Sequence, residues 1–146
     1  MRVSTGTPAE IETFLLQRLE QYPRLGRAND RFPARTMRHL AHLYARQGRA
    51  AEAEQRYRDV LAHLRKIAPD TDWEVGRAKS ELGEQLAARR AFTEAEPLLV
   101  SGFEALLGDT GVPKRTTSAA RTRLVTLYED WKRPEDARRW RTHALR

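Results

Sequence analysis

Two histidines three residues apart, His39 and His42 in "MRHLAHLY", are spaced to share a metal ion on one helix face. A site of that kind needs a third donor. The chain has no cysteine, and no further ligand stands nearby, so a carboxylate would have to come from a distant segment. The pair therefore reads as solvated or groove-lining, and no metal is expected. Hydroxyls cluster in "RTTSAA" (115–120), but no histidine and acid accompany them in a triad-like pattern. Basic flanks make "KRTTS" a conceivable phosphorylation target, while Thr116, Thr117 or Ser118 would serve more simply as a helix N-cap. No phosphate-cradling glycine loop, H-E-x-x-H or G-x-S-x-G occurs. The expectation is a non-enzyme with no catalytic residues and no cofactor.

Arginine remains as the chemically conspicuous residue. The 146 residues carry 27 basic and 20 acidic side chains, for a net charge of +7. Of the basic residues 23 are arginine and only four are lysine: Lys66, Lys79, Lys114 and Lys132. Such a charge balance can favour polyanionic partners, but a GC-rich genome produces the same ratio, and nucleic acid is not the expected partner. No apolar run approaches the length of a bilayer span, and "MRVSTGTPAE" lacks the apolar core of a secretory signal. Together with the absence of cysteine, this points to a cytoplasmic chain with no membrane contact.

The elements that carry these residues follow from a repeat. Ala53, Ala95 and Ala137 stand at successive intervals of 42, each behind an acidic residue: Glu52, Glu94 and Asp136. Leu40, Leu82 and Leu124 keep the same register, as do Tyr44, Leu86 and Tyr128, and Leu61, Phe103 and Leu145. One step further back lie Glu10 and Ile11, with Leu15 and Leu19 in the register of Tyr57 and Leu61. A fixed period of this size is the signature of a solenoid of stacked units.

Each unit reads as two amphipathic helices. Leu40, Leu43 and Tyr44 form one stripe, Gly48 closes it, and Ala53, Tyr57, Val60 and Leu61 form the next. Leu82 and Leu86 precede Ala95, Leu98, Leu99 and Phe103; Leu124, Leu127 and Tyr128 precede Pro134, Ala137 and Trp140. Capping boxes are expected at Thr7–Glu10, with Pro8 in the first turn, and at Thr71–Glu74; Pro134 suits another helix start. The alanines should mark places where antiparallel helices cross closely, and Gly83 a further close approach. The prediction is an all-α fold of about seven helices in a single domain, 1–146. Within it, 8–22 is a half repeat or N-terminal cap, followed by repeats at 34–69, 72–110 and 115–146.

These residues resemble the tetratricopeptide pattern W-x2-L-G-x2-Y, then A-x3-F, then P. The second block has Leu82-Gly83-x2-Leu86 and Ala95-x3-Leu99. The first has Leu40-Ala41-x2-Tyr44, Ala53-x3-Tyr57 and Pro69; the third has Leu124-Val125-x2-Tyr128 and Ala137, with Arg141 in the aromatic position. Met37, Lys79 and Arg121 replace the leading aromatic. The period exceeds the usual one of about 34 and resembles the long repeats typified by kinesin light chains. Residues 78–106 and 123–141 further resemble repeats that follow bacterial serine/threonine kinases, although the chain has no kinase core of its own.

The resemblance implies antiparallel helix pairs stacked in a right-handed superhelix, with the first helix of each repeat lining a concave groove that docks peptides. Carried onto this sequence, the groove-facing register gives Arg35, Arg38, His42 and Arg46, then Arg77, Ser80 and Glu84, then Thr122, Thr126 and Glu129. The lysine-and-asparagine carboxylate clamp of chaperone-binding relatives is not reproduced. Arginine clusters pair bidentately with carboxylates and phosphates, so the expected partner is an acidic or phosphorylated peptide or protein surface. The chain would act as a docking segment of a larger bacterial signalling protein. Self-association through repeat ends and nucleic-acid binding on the basic face are the alternatives. In the last helix, Trp140 is expected to pack inward, and Arg138, Arg139, Arg141 and Arg146 to supply a polar outer face.

Overall fold

A computed structural model describes residues 6–143. Seven helices and no strand occur among the described residues: α1 (Pro8–Arg24), α2 (Phe32–Arg46), α3 (Ala50–Ile67), α4 (Trp73–Ala88), α5 (Phe92–Leu107), α6 (Lys114–Asp130) and α7 (Pro134–Arg141). The expected all-α class and helix count are therefore observed. Leu145 and Arg146 lie outside the described residues.

The chain divides into two compact units, residues 1–67 and 68–146. In the first, α2 packs against both α1 and α3. Of the predicted set, Leu15, Leu40, Leu43, Tyr44, Ala53, Tyr57, Val60 and Leu61 are buried, joined by Tyr22 and Leu64, while Ile11 and Leu19 are half-buried. Each such large side chain contributes about 1.5–3 kcal/mol by leaving water. In the second unit α4 packs on α5, α6 on both of these, and α7 on α6. Leu82, Leu86, Leu99, Phe103, Leu124, Leu127 and Tyr128 form its core.

The small residues occupy the expected crossings. Ala53, Ala95 and Ala137 are 0–1% exposed. A Cβ on Gly83 would lie 2.6 Å from Leu99 Cγ. The close approach extends further than the repeat foretold: a Cβ on Gly76 would lie 2.8 Å from Ala105 Cβ, and one on Gly102 only 2.7 Å from the Gly76 carbonyl oxygen. At these three positions α4 and α5 leave no room for a methyl group. The same register in the first unit carries Ala34, Ala41 and Val60, all buried.

Helix starts agree with expectation in part. Thr7 caps α1, accepting from the Glu10 amide at 3.2 Å, while the Glu10 carboxylate accepts from the Thr7 hydroxyl. The box expected at Thr71 does not form. Asp72 is the N-cap of α4 instead, its carboxylate accepting from the Glu74 amide at 2.9 Å. A short Asx turn from Asp72 satisfies that donor and makes the longer reach from Thr71 unnecessary. Nor do Thr116, Thr117 or Ser118 cap α6. The helix starts at Lys114 behind Pro113, and Thr117 is turned into the core.

The stops repeat with the period. Gly48, Arg90 and Lys132 all have positive φ (75°, 66° and 61°) and stand 42 apart. In each case the following amide donates back across the last turn: Arg49 to Tyr44 O, Ala91 to Leu86 O and Arg133 to Tyr128 O, at 2.8–2.9 Å. Only the first of the three uses the residue type that adopts this conformation without steric cost.

Candidate functional site

In the first unit, Arg35, Arg38, His42 and Arg46 follow one another at i, i+3, i+7 and i+11 along α2, the spacing of a single helix face. Arg35 and Arg46 are exposed, and Arg38 and His42 are half-buried. The His42 ring leans on Tyr57 of α3, with centroids 5.7 Å apart. Across all its 15 residues α2 contains no aspartate or glutamate. Between α1 and α2 opens a cleft of about 310 Å³. Phe14, Tyr22 and Phe32 supply aromatic walls, and Arg18, Arg35 and His39 supply its polar lining.

In the second unit the predicted residues separate. Arg77 is held over the Trp73 ring at 4.9 Å and lies 3.6 Å from the buried Glu74 carboxylate, so its charge is already countered. Ser80 is fully buried, and its hydroxyl accepts from Arg123 Nη1 at 3.1 Å. Ser80 therefore reaches a surface only through Arg123. Glu84, Thr122 and Thr126 do meet, lining a cleft of about 360 Å³ between α4 and α6. Glu129 is not among its lining residues; its carboxylate pairs with Arg141 at 2.6 Å, beside α7.

Sequence reasoning missed Arg123 and Asp130, which also line the α4/α6 cleft above a floor that includes Ala87, Ala119 and Leu127. Arg123 Nε lies 3.3 Å from Glu84 Oε2. The signal for it was present in the spacing Ala119, Arg123, Thr126, Asp130, a helical stripe one position round from the stripe chosen. The two clefts thus differ in character. That of the first unit has arginine and histidine with no carboxylate in its lining, whereas that of the second has two carboxylates against one arginine.

A second polar arrangement recurs in both units. Tyr44 donates to Glu12 at 3.0 Å, and Arg49 pairs with the same carboxylate at 2.8 Å while stacking on the Tyr44 ring at 4.1 Å. Arg49 also holds Glu52 at 2.7 Å. Eighty-four residues on, Tyr128 donates to Glu96 at 2.7 Å, with Arg133 4.0 Å from that carboxylate. Hydrogen bonding from Arg49 holds the Glu12 and Glu52 carboxyls below the ordinary carboxylate range. Burial, followed by the acceptor beside each hydroxyl, raises Tyr44 and Tyr128 above the ordinary phenol value. These are clasps between helices.

Among the described residues, no group of three or more His, Cys, Asp or Glu side chains could hold a metal ion, and no helix is long and apolar enough to cross a membrane. No family model and no curated protein matches the chain. Among solved structures, BtubC (BKLC) from P. vanneervenii, a kinesin-light-chain-like all-helical protein, superposes with a TM-score of 0.81 at 14% identity. The match covers 91% of this chain and 53% of that one, so the chain spans about half the length of that protein. The fold is that of a helical repeat protein. A fold of this kind suits protein interaction in general.

Proposed function

We propose that this chain is a non-catalytic protein-interaction scaffold, and that α2 of the first unit receives an acidic or phosphorylated peptide or partner surface. The observation that carries this reading is the carboxylate-free α2, with Arg35, Arg38 and Arg46 on one face. A row of arginines along one helix face favours an anionic partner. The resemblance of residues 78–106 and 123–141 to repeats that follow bacterial kinases supports a docking role within a larger signalling protein.

The test compares wild type with an Arg35→Glu, Arg38→Glu, Arg46→Glu variant and with Arg139→Glu, an exposed control on α7. Each is used to capture partners from nuclease-treated native lysate, with identification by mass spectrometry. Partners kept by wild type and by Arg139→Glu, and lost by the triple variant, are the expected result. Identical partners in all three samples would place recognition elsewhere. Concentration-dependent mass without any captured partner would favour self-association instead.

A further inference from the structure

Within each unit, one helix receives the first helix of the following repeat at a fixed position. Glu12 of α1 accepts from Tyr44 of α2, and Glu96 of α5 accepts from Tyr128 of α6. The apolar part of each seat is equally regular: Leu15 and Leu99 follow those glutamates by three residues, and both are buried. One period beyond Glu96 and Leu99 stand Arg138 and Arg141, on α7. The pair α6/α7 offers the next seat of the series, with its polar position reversed in sign.

That seat is an open cleft of about 530 Å³, lined by Glu129, Lys132, Pro134, Ala137, Arg138 and Arg141. Its three cations face one carboxylate, and Glu129 is already held by Arg141 at 2.6 Å. Lys132 and Arg138 are exposed and form no ion pair among the described residues. Pro134 and Ala137 supply an apolar floor. The aliphatic stems of Arg138 and Arg141 can extend that floor while their charged ends stay in water.

The equivalent seat in the second unit fixes the shape of an occupant. There α6 packs on both α4 and α5, so a helix in this cleft would rest on α6 and α7 alike. The charge fixes its chemistry. Opposite a glutamate, a tyrosine hydroxyl donates; opposite a guanidinium, which has only donors, the favoured group is a carboxylate.

We propose that the α6/α7 cleft is a docking seat for an amphipathic helix of a partner protein, one that carries a carboxylate where α2 and α6 carry Tyr44 and Tyr128. The seat is separate from the arginine face of α2 and does not depend on the partner assigned to that face.

The test uses fluorescein-labelled peptides in anisotropy titrations against the whole chain. Each keeps Ala120, Leu124 and Leu127 from the buried face of α6, at their native spacing, on an alanine- and glutamine-rich background that favours a helix. The position of Tyr128 is glutamate in the first peptide, tyrosine in the second and lysine in the third. A fourth has the composition of the first with its apolar residues scrambled. Wild type should bind the glutamate peptide about tenfold more tightly than the tyrosine peptide, the scale of one charge-assisted hydrogen bond, and the lysine peptide more weakly still. Arg138→Glu, an exposed change whose fold circular dichroism would verify, should reverse the order of the glutamate and lysine peptides. Arg139→Glu, the same change of charge outside the lining, should preserve it. Equal binding of the glutamate and tyrosine peptides would overturn the matched carboxylate. A scrambled peptide that binds as tightly as the ordered one would reduce the effect to charge attraction and overturn the helix seat. Failure of every peptide to bind would make α7 a solvated end and overturn the proposal, leaving the reading of α2 untouched.

Discussion

The two units use one repeat pattern to different ends. In the second, Gly76, Gly83 and Gly102 let α4 and α5 approach until a methyl group would collide; in the first, Ala34, Ala41 and Val60 fill the same register. Both units pair arginines with their own carboxylates, but the cleft of the second is lined by Glu84 and Asp130, whereas α2 of the first carries no carboxylate in its sequence. A common backbone period therefore fixes where helices lie without fixing how tightly they pack or what charge they present. Packing depends on the volume at a few crossing positions, and charge on which side chains meet across them.

The largest expected effect separates the units by their aromatic content. Phe103 makes edge contacts with Trp140 and His143 at 5.6 and 5.4 Å, so Trp140 does pack inward, as expected. Phe103→Ala should cost about 4 kcal/mol in urea unfolding, and its register partner Leu61→Ala about 3 kcal/mol. Equal losses would mean that the aromatic cluster adds nothing beyond buried area. Next come the glycine contacts. Gly102→Ala should cost about 1–3 kcal/mol, because the obstruction is the Gly76 backbone and cannot rotate away, even though alanine favours a helix. Ala95→Leu should cost a similar amount at its own crossing. A stabilised Gly102→Ala protein would show that α4 and α5 can separate at no expense.

The clasps sharpen the comparison further. Tyr44→Phe should cost about 1.5 kcal/mol through loss of a hydrogen bond to a carboxylate, and Tyr128→Phe about the same. The Glu12 carboxyl is held below its ordinary value, so its contribution is present above about pH 4.5 and is lost as pH falls through the lower folded value. An acid titration of stability should accordingly show a shallower decline for Glu12→Gln than for wild type; parallel curves would remove Glu12 from the account. The smallest effect is at the helix stops. Arg90→Gly and Lys132→Gly should each raise stability by about 0.5 kcal/mol, and Gly48→Ala should lower it by about 1 kcal/mol. Melting temperatures of the three variants would check the order.

How much of the site was legible is clearest from the clasp. Glu12 and Glu96, Tyr44 and Tyr128, and Arg49 and Arg133 are each 84 residues apart, twice the period. The glutamates keep the register at every step through Glu54, whereas Leu86 and Ala91 interrupt the tyrosine and arginine registers, so the three-residue set does not show as a period. Similarly, Gly48 announced its helix stop by residue type, whereas Arg90 and Lys132 take up the same conformation without any local signal. Nothing along the chain marked Arg77 or Arg123 as paired, yet each meets a carboxylate of its own unit.

The sequence by itself determined the helices, their period and the apolar stripes that form the core. Those depend on neighbours within a turn or two, where 3.6-residue geometry makes spacing equivalent to facing direction. Only the tertiary structure decided which arginines are answered internally, that Ser80 is sealed beneath Arg123, and that Phe14, Tyr22 and Phe32 gather in one cleft. Such pairings join different helices, and a shift of one residue between adjacent helices would exchange every partner while leaving each helix's own pattern intact.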